Sequence, residues 1–168
     1  MADTGRQGIE RNIPGFGTLR IEKLVTDYSG TLTCGGRLTE GVERRLIRLA
    51  EVVEIVVLTS DTFGTARKEL MAIPATIEIL KGEHHDAQKR EYVRQRVDAA
   101  QTAALGNGVN DRLMLAAVRE AGGLAVAVDN GEGVAAETAA GANLLIHGAA
   151  NALDLLLEPD RLVASLRF

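Results

Sequence analysis

The stretch K-L-V-T-D-Y-S-G-T-L-T, residues 23–33, decides the fold. Its first part, Lys23–Asp27, is short, apolar and β-branched, as in a buried strand, and Asp27 stands where that strand emerges. An unpaired buried carboxylate is costly, so this position calls for a cation, hydrogen-bond donors or chemistry. Gly30 and the hydroxyls around it provide a loop whose N–H groups could face an anion. An Asp that caps a turn explains the same residues equally well at this stage.

Outward from this strand, short apolar runs alternate with longer amphipathic runs. In residues 40–51, for example, Val42, Leu46 and Leu49 recur at helical spacing. This alternation predicts βαβ units, and therefore one α/β domain over residues 1–168, with a doubly wound parallel sheet covered on both faces. The predicted strands are 23–27, 54–59, 76–80, 102–105, 124–128 and 143–146, and the predicted helices are 40–51, 63–71, 87–99, 111–121, 133–140 and 150–157.

The two ends of the chain stand outside this alternation. Residues 9–13 and 18–23 flank the turn-rich P-G-F-G at 14–17, which predicts a small N-terminal β-hairpin after about eight loosely held residues. The tail, 160–168, carries an apolar pattern that ends in Leu166 and Phe168. Packing on its own sheet is the favoured interpretation of the tail, and docking on a partner chain is the alternative.

Composition limits the functions that are open to the chain. Its 168 residues carry a net charge of -4, with no Trp, two Tyr and three Phe, which argues against nucleic-acid binding. The single cysteine, Cys34, excludes an intramolecular disulfide and fits a reducing compartment, so a cytoplasmic location is expected. No apolar run reaches the ~18 residues of a membrane span, and residues 1–14 lack the apolar core of a signal peptide.

Ligands of doubly wound sheets bind beyond the carboxyl ends of the strands. Two further candidates lie near that edge, one at the end of a strand and one early in a helix. Thr59 and Ser60 precede a predicted helix, where a hydroxyl can bond a phosphate oxygen. A plain N-cap is the alternative, since Ser60, Asp61 and Thr62 are all good capping residues. Lys89 stands early in a predicted helix, which is normally a poor place for a cation. A solvated charge is the simpler explanation of that lysine.

The fourth candidate is the loop G-N-G-V-N-D, residues 106–111. Its glycines allow close approach to a ligand, and its amides and carboxylate offer oxygen ligands to Mg²⁺, although a tight turn with an N-cap has the same composition. The four candidates all fall at one edge of the predicted sheet. A carboxylate, a hydroxyl, a lysine and an acid/amide loop are together the parts of Mg²⁺-assisted phosphoryl transfer through an aspartyl-phosphate.

This order of motifs resembles the haloacid dehalogenase (HAD) superfamily, in its form without a cap domain. The resemblance is closer to the phosphorylation domain of P-type ATPases and to small proteins of the "soluble P-type ATPase" kind, and it covers roughly residues 8 to 168. The ATPase motif D-K-T-G-T-L-T parallels D-Y-S-G-T-L-T at 27–33, T-G-D-x-x-x-T-A parallels 59–66, and G-D-G-x-N-D parallels 106–111.

The resemblance implies a role for each candidate residue. Asp27 would attack phosphorus and carry the phosphoryl group, and Lys89 would neutralise the charge that develops there. The implied phosphate-binding residues are Gly30, Thr59, Ser60 and Lys89, and the implied Mg²⁺ ligands are Asp27, the backbone carbonyl of Ser29, Asn107 and Asp111, the last two directly or through water.

Two positions depart from the family pattern. Ser29 stands where HAD phosphatases carry an acid/base Asp, and loss of general acid–base help slows a reaction by about 10²–10⁴-fold. A slow enzyme, or a long-lived aspartyl-phosphate like that of the P-type ATPases, is therefore expected. Asn107 stands where a charged metal ligand is common, so weaker Mg²⁺ binding is expected.

Nothing large is inserted at the two usual places of a cap domain. Water is then excluded less well. The resemblance implies either a neighbouring subunit as the lid or a large substrate, and we expect a homo-oligomer. The sequence thus predicts a Mg²⁺-dependent phosphohydrolase with a phosphorylated substrate of unidentified class. A weakly catalytic or non-catalytic module that binds a phosphate or a nucleotide in a regulatory role is the alternative, and a phosphotransferase is a third.

Overall fold

The computed structural model describes residues 5–168, so the first four residues of the predicted loose N-terminus lie outside the described residues. In chain order the elements are β1 (Ile9–Ile13), β2 (Gly17–Ile21), β3 (Lys23–Thr26), β4 (Thr33–Cys34), β5 (Arg37–Leu38), α1 (Val42–Leu49), β6 (Glu54–Thr59), α2 (Ala66–Glu69), β7 (Ala75–Ile79), α3 (His85–Arg96), β8 (Thr102–Gly106), α4 (Arg112–Ala121), β9 (Leu124–Asp129), α5 (Ala136–Gly141), β10 (Leu144–His147), α6 (Ala149–Leu157) and α7 (Asp160–Leu166).

Six of these strands form one parallel sheet in the order β10-β9-β8-β3-β6-β7. The chain leaves β3 toward β6 and β7, then returns to the other side of β3 through β8, β9 and β10. The strand order therefore reverses at β3, which is the topology of a doubly wound α/β fold. The predicted fold class is confirmed, and so is the hairpin, in which β1 and β2 pair antiparallel.

The strands are buried on both faces because alternate residues point into two separate cores. Leu24 and Ile55 belong to the core beneath α1, α6, α7 and the hairpin. Val25 and Val56 belong to the core beneath α3 and α4. Successive side chains of a strand point to opposite faces, so a strand with helices on both sides reads as a continuous apolar run. This explains why the strands could be located from apolar runs alone.

The predicted helix 63–71 is wrong in extent, since only α2, Ala66–Glu69, is helical. Residues 61–64 form a loop in which Asp61 has φ 51° and Gly64 has φ 65°, both in the left-handed region that ends regular structure. The Asp61 carboxylate then accepts the N–H groups of Thr65 and Ala66, at 2.9 and 3.0 Å. The expected capping at this strand end is therefore carried out by Asp61.

The tail packs on its own chain, as the favoured interpretation had it. α7 lies against β1, and its Leu162 is buried in the core with α6. The last residue, Phe168, donates its N–H to Pro14 O over 3.2 Å, so the tail ends beside the hairpin turn.

Among residues 5–168, no helix has both the length and the apolar character that crossing a membrane requires.

Candidate active site

The candidate site lies at the carboxyl edge of the sheet, at the reversal of strand order. β3 is flanked there by β6 on one side and β8 on the other. The Asp27 N–H donates to Leu105 O over 2.9 Å, so the pairing of β3 with β8 continues for one residue past the strand. This bond fixes Asp27 at the crevice in which doubly wound sheets bind their ligands.

A buried lysine joins two carboxylates at this crevice. Lys89 Nζ donates to Asp27 Oδ1 and to Asp111 Oδ1, each over 2.6 Å. The side chains of Lys89 and Asp111 are fully buried, and that of Asp27 is 6% exposed. Buried charges persist only when they are paired and hydrogen-bonded. The structure therefore rules out a solvated Lys89 and brings three of the predicted site residues together.

The inward direction of Lys89 follows from the face of α3 that is buried. Val93 stands four residues further on, so the two residues share one side of the helix. Val93 is fully buried in the core between the sheet, α3 and α4. Since the helix is anchored by this side, the aliphatic stem of Lys89 extends into the interior and its ammonium group reaches the sheet edge.

Burial, together with the excess of carboxylates over lysine, shifts the pKa values of this cluster. Burial raises the pKa of Asp27, the negative charge of Asp111 raises it further, and Lys89 and Thr31 oppose both effects, which leaves this pKa at about 6. Burial by itself lowers the pKa of Lys89, but the two carboxylates outweigh it, so this pKa lies above its ordinary value. Lys89 therefore keeps its proton at neutral pH and acts as a fixed positive charge.

The loop 106–111 is folded around the Asp111 carboxylate. Asp111 Oδ2 accepts the N–H groups of Asn107 and Gly108, at 2.9 and 3.0 Å, while Oδ1 accepts from Lys89. Gly106 is required here, because a Cβ at that position would stand 2.4 Å from the Cβ of Asp111. Both carboxylate oxygens are thus engaged, and Asp111 is placed as the anchor of Lys89 and of the loop. Its contribution to a metal site remains a prediction.

Two other oxygens converge on a single hydroxyl group. Thr31 Oγ1 lies 3.0 Å from Asp27 Oδ2 and 3.1 Å from Asn107 Oδ1. The one proton of this hydroxyl can serve only one of the two acceptors at a time, which leaves the other with a free lone pair. Carboxylate and amide oxygens are the hard donors that Mg²⁺ prefers. Asp27 and Asn107, with the Ser29 carbonyl in the same loop, therefore fit the predicted Mg²⁺ site.

Gly30 allows the Asp27 loop to approach its neighbours closely. It has φ 78°, and a Cβ at this position would stand 2.6 Å from Asn107 Nδ2 and 3.0 Å from Glu132 Oε2. The Asn107 amide is held from its other side, since it donates to Gly133 O over 3.1 Å. Three loops therefore meet at Gly30: its own loop, the loop 106–111, and the segment that carries Glu132 and Gly133. The contact of Gly30 with phosphate stays a prediction.

Thr59 and Ser60 stand at the end of the neighbouring strand β6. Thr26 pairs with Val57, so Thr59 lies two residues further along, level with the Asp27 loop. Thr59 Oγ1 accepts the Asp61 N–H over 2.9 Å, and in the structure of residues 5–168 its own proton is not donated to any group. That hydroxyl proton is therefore available to bond an anion, and the predicted phosphate contact of Thr59 stays a prediction. The Ser60 hydroxyl lies 3.2 Å from the hydroxyl of Thr62 and is only partly buried.

Ser29 stands where the resemblance predicts the acid/base Asp of HAD phosphatases. Its Oγ is buried and has no hydrogen-bond partner within the described chain. A buried hydroxyl without a partner is uncommon in folded proteins and marks a position where a ligand oxygen could complete the bonding. A serine hydroxyl, however, does not ionise near neutral pH, so it cannot exchange protons as a carboxyl group does.

The side chain of Tyr28 locks the loops around the crevice to each other. It is fully buried, and its hydroxyl lies 3.1 Å from Gly36 O and 3.0 Å from Thr65 Oγ1. Thr65 Oγ1 in turn donates to the same carbonyl over 2.7 Å. The two hydroxyl protons are shared among these three contacts, which join the Asp27 loop, the turn between β4 and β5, and the start of α2.

Sequence reasoning missed two residues of the site. Thr31 stands inside the quoted motif, but no role was predicted for its hydroxyl, which holds Asp27. Glu132 belongs to the segment D-N-G-E-G at 129–133, directly after β9, and its carboxylate reaches Gly30. The available signal was its place after a parallel strand, because the carboxyl ends of all six strands lie at the same edge of the sheet.

No protein-family model matches the chain, and no curated protein sequence matches it. Solved structures do resemble it. A cobalt-bound deoxy-D-mannose-octulosonate 8-phosphate phosphatase from Haemophilus influenzae has a TM-score of 0.58 at 17% identity, and the likeness covers 87% of this chain and 89% of that chain. The corresponding phosphatase from Moraxella catarrhalis, in complex with a magnesium ion, a phosphate ion and KDO, has a TM-score of 0.57 at 17% identity, over 88% and 94%.

A third structure, a haloacid dehalogenase-like hydrolase from Streptococcus pneumoniae, has a TM-score of 0.57 at 13% identity, over 80% of this chain and 97% of that chain. At such identities the likeness establishes the fold. The chain therefore has the fold of the HAD hydrolases, with its buried Asp27–Lys89–Asp111 cluster at the carboxyl edge of the sheet.

Replacing Asp27 by Asn is expected to stabilise the metal-free protein, and increasingly so as the pH rises. The folded-state pKa of Asp27 is raised, so its contribution to stability is fully present below the unfolded value of 3.8 and is lost as the pH rises through about 6. Asparagine resembles the protonated acid at every pH. Urea unfolding in a chelator, at about pH 4.5 and about pH 7.5, measures the difference between the two proteins. A difference that does not change with pH would contradict the raised pKa.

Proposed function

We propose that this protein is a Mg²⁺-dependent phosphohydrolase that acts on a phosphate ester through an aspartyl-phosphate on Asp27. The observation that carries the proposal is the buried cluster in which one lysine holds two carboxylates at the ligand-binding edge of the sheet. The Mg²⁺ and the phosphate bound by the Moraxella enzyme of the same fold support a divalent metal and a phosphorylated substrate here.

Each side chain of the site has a function in this proposal. Asp27 supplies the nucleophilic oxygen, and its pKa of about 6 leaves it largely ionised at neutral pH. Lys89, which stays protonated, lies against Asp27 and stabilises negative charge that develops there. Thr59 donates its free proton to a phosphoryl oxygen. A Mg²⁺ held by Asp27, Asn107 and the Ser29 carbonyl would supply further charge neutralisation to the phosphoryl group.

The reaction is expected to be slow at its proton-transfer steps. The leaving group needs a proton, and the water that cleaves the aspartyl-phosphate needs a base. Ser29 stands where the family places the carboxylate for both tasks, and its hydroxyl has no partner in the described chain that would activate it. A long-lived phosphoenzyme follows, which is the behaviour of the P-type ATPases that the motif at 27–33 resembles.

The substrate is proposed only at the level of a phosphate ester. Between β3 and α1 the chain forms the short hairpin β4–β5, and between β6 and β7 it forms the four-residue helix α2. These are the places in which a covering domain would be inserted. The crevice is therefore open to large substrates as well as to small ones.

Asp27→Asn is expected to abolish Mg²⁺-dependent phosphate release, because an amide cannot act as the nucleophile. The measurement is phosphate release from a panel of phosphate esters, with Asp160→Asn as the control, since Asp160 is exposed on α7. No turnover by the wild type, together with Mg²⁺-dependent trapping of beryllofluoride at Asp27, would indicate a long-lived phosphoenzyme. If neither turnover nor trapping occurs, the proposal fails in favour of a binding module.

Ser29→Asp is expected to accelerate hydrolysis by about 10²-fold or more, because it introduces the missing acid and base. The rate of phosphoenzyme breakdown should rise with kcat. Ser29→Asn has the same shape without an ionisable proton and should give no such acceleration. An unchanged rate in Ser29→Asp would show that proton transfer does not limit turnover.

A second copy of the chain is proposed as the lid over the open crevice. Within the described residues only the short hairpin β4–β5 and the helix α2 stand where a covering domain would be inserted, so exclusion of water during phosphoryl transfer requires a further surface. Multi-angle light scattering at micromolar concentration is expected to give the mass of an oligomer. The mass of one chain would contradict this part of the proposal.

A further inference from the structure

Glu132 lies in a loop that is held rigidly beside the site. Asp129 Oδ1 accepts the N–H groups of Gly131 and Gly133, at 3.1 and 3.2 Å, and closes the loop after β9. The hydrogen bond from Gly131 is the main reason that the pKa of Asp129 lies below its ordinary value, so this carboxylate stays ionised. Ala135 N–H, just beyond the loop, donates to Asn107 O over 2.8 Å. The position of Glu132 is thus tied directly to the acid/amide loop.

The two oxygens of Glu132 have different surroundings. Oε1 accepts the N–H of Gly35 over 2.5 Å, at the turn between β4 and β5. Oε2 lies 3.0 Å from the point where a Cβ of Gly30 would stand, and Asn107 Nδ2 lies 2.6 Å from the same point. Within the described chain, Oε2 makes neither a hydrogen bond nor an ion pair. One oxygen therefore holds a turn, while the other places negative charge beside Gly30, where the Asn107 amide also approaches.

We propose that Glu132 supplies the negative charge beside the Mg²⁺ site that Asn107, an amide, does not provide. The inference rests on the proposed function, because it takes Asp27, Asn107 and the Ser29 carbonyl as the site of the metal. Asn107 Oδ1 contacts the Thr31 hydroxyl, which also contacts Asp27. Its Nδ2 donates to Gly133 O and approaches Gly30, as Glu132 Oε2 also does. Glu132 thus lies on the Nδ2 side of the amide and would act through its charge, without ligating the ion.

A purely structural role for Glu132 makes a different prediction. The bond from Gly35 N–H requires only an acceptor oxygen, which a glutamine at position 132 also offers. Glu132→Gln therefore retains the turn and removes the charge. If Glu132 served only to hold the turn, this substitution would leave metal binding unchanged.

Mg²⁺ binding to the substrate-free protein, measured by calorimetry at constant ionic strength, tests the proposal. Glu132→Gln is expected to weaken Mg²⁺ binding on the order of 10-fold, the range found when a group that supports metal ligands is removed. Its melting temperature without Mg²⁺ should equal that of the wild type. Glu137→Gln is the matched control: Glu137 is an exposed glutamate on α5 that pairs with Arg112, and its loss should leave Mg²⁺ affinity unchanged.

A compensating substitution sharpens the test. In Asn107→Asp the ligand itself carries the charge, so Mg²⁺ binds more tightly, and adding Glu132→Gln to that variant should return the affinity to near the wild-type value. Equal Mg²⁺ affinity of the wild type and Glu132→Gln would overturn the role of Glu132 while leaving the proposed function intact. Absence of Mg²⁺ binding to the wild type would overturn both. A lower melting temperature of Glu132→Gln without Mg²⁺, with unchanged affinity, would assign Glu132 to the turn alone.

Discussion

The buried ammonium group of Lys89 is the constraint on which the rest of the site depends. A lysine that is fully removed from water is tolerated only where anionic partners surround it, and leaving its charge buried with no anionic partner costs about 3–5 kcal/mol. Its two partners come from different parts of the chain, Asp27 after β3 and Asp111 before α4. The hydrogen bonds of this one ammonium group therefore set the distance between the helix α3 and the two loops of the candidate site.

The same cluster carries the negative charge that a proton or the proposed Mg²⁺ would neutralise. Two carboxylates share one lysine, so the cluster as a whole retains negative charge, and burial together with the charge of Asp111 raises the pKa of Asp27. A divalent cation relieves it in the same way as a proton does. The folded protein thus holds unfavourable negative charge that the proposed Mg²⁺ would neutralise. Active sites commonly contain groups of this kind, which lower stability and serve function.

Much of this arrangement could be predicted from the sequence. The doubly wound sheet follows from apolar runs of β-branched residues, and the grouping of Asp27, Lys89 and loop 106–111 follows from their positions at strand ends and in the next helix. The short extent of α2 could not be predicted, because it depends on the left-handed conformation of Asp61, which aspartate tolerates better than most residues but which no local pattern requires here. The contact of Glu132 with Gly30 depends on how two distant loops pack, and no local pattern encodes that packing. The anchoring role of Asp111 was hidden for the same reason, since carboxylates that bind a metal or a lysine look alike in a sequence.

The bonds of the Tyr28 hydroxyl have a consequence for how molecules reach Asp27. Because Gly36 and Thr65 share hydrogen bonds with this buried phenol, the β4–β5 hairpin and the start of α2 cannot swing apart without exposing a polar group that has lost its partners. These hydrogen bonds fix the β4–β5 turn and the start of α2 relative to each other at the rim of the crevice. The width of the entrance at this point is consequently set when the chain folds, so the proposed phosphate ester would meet a rim that is already formed.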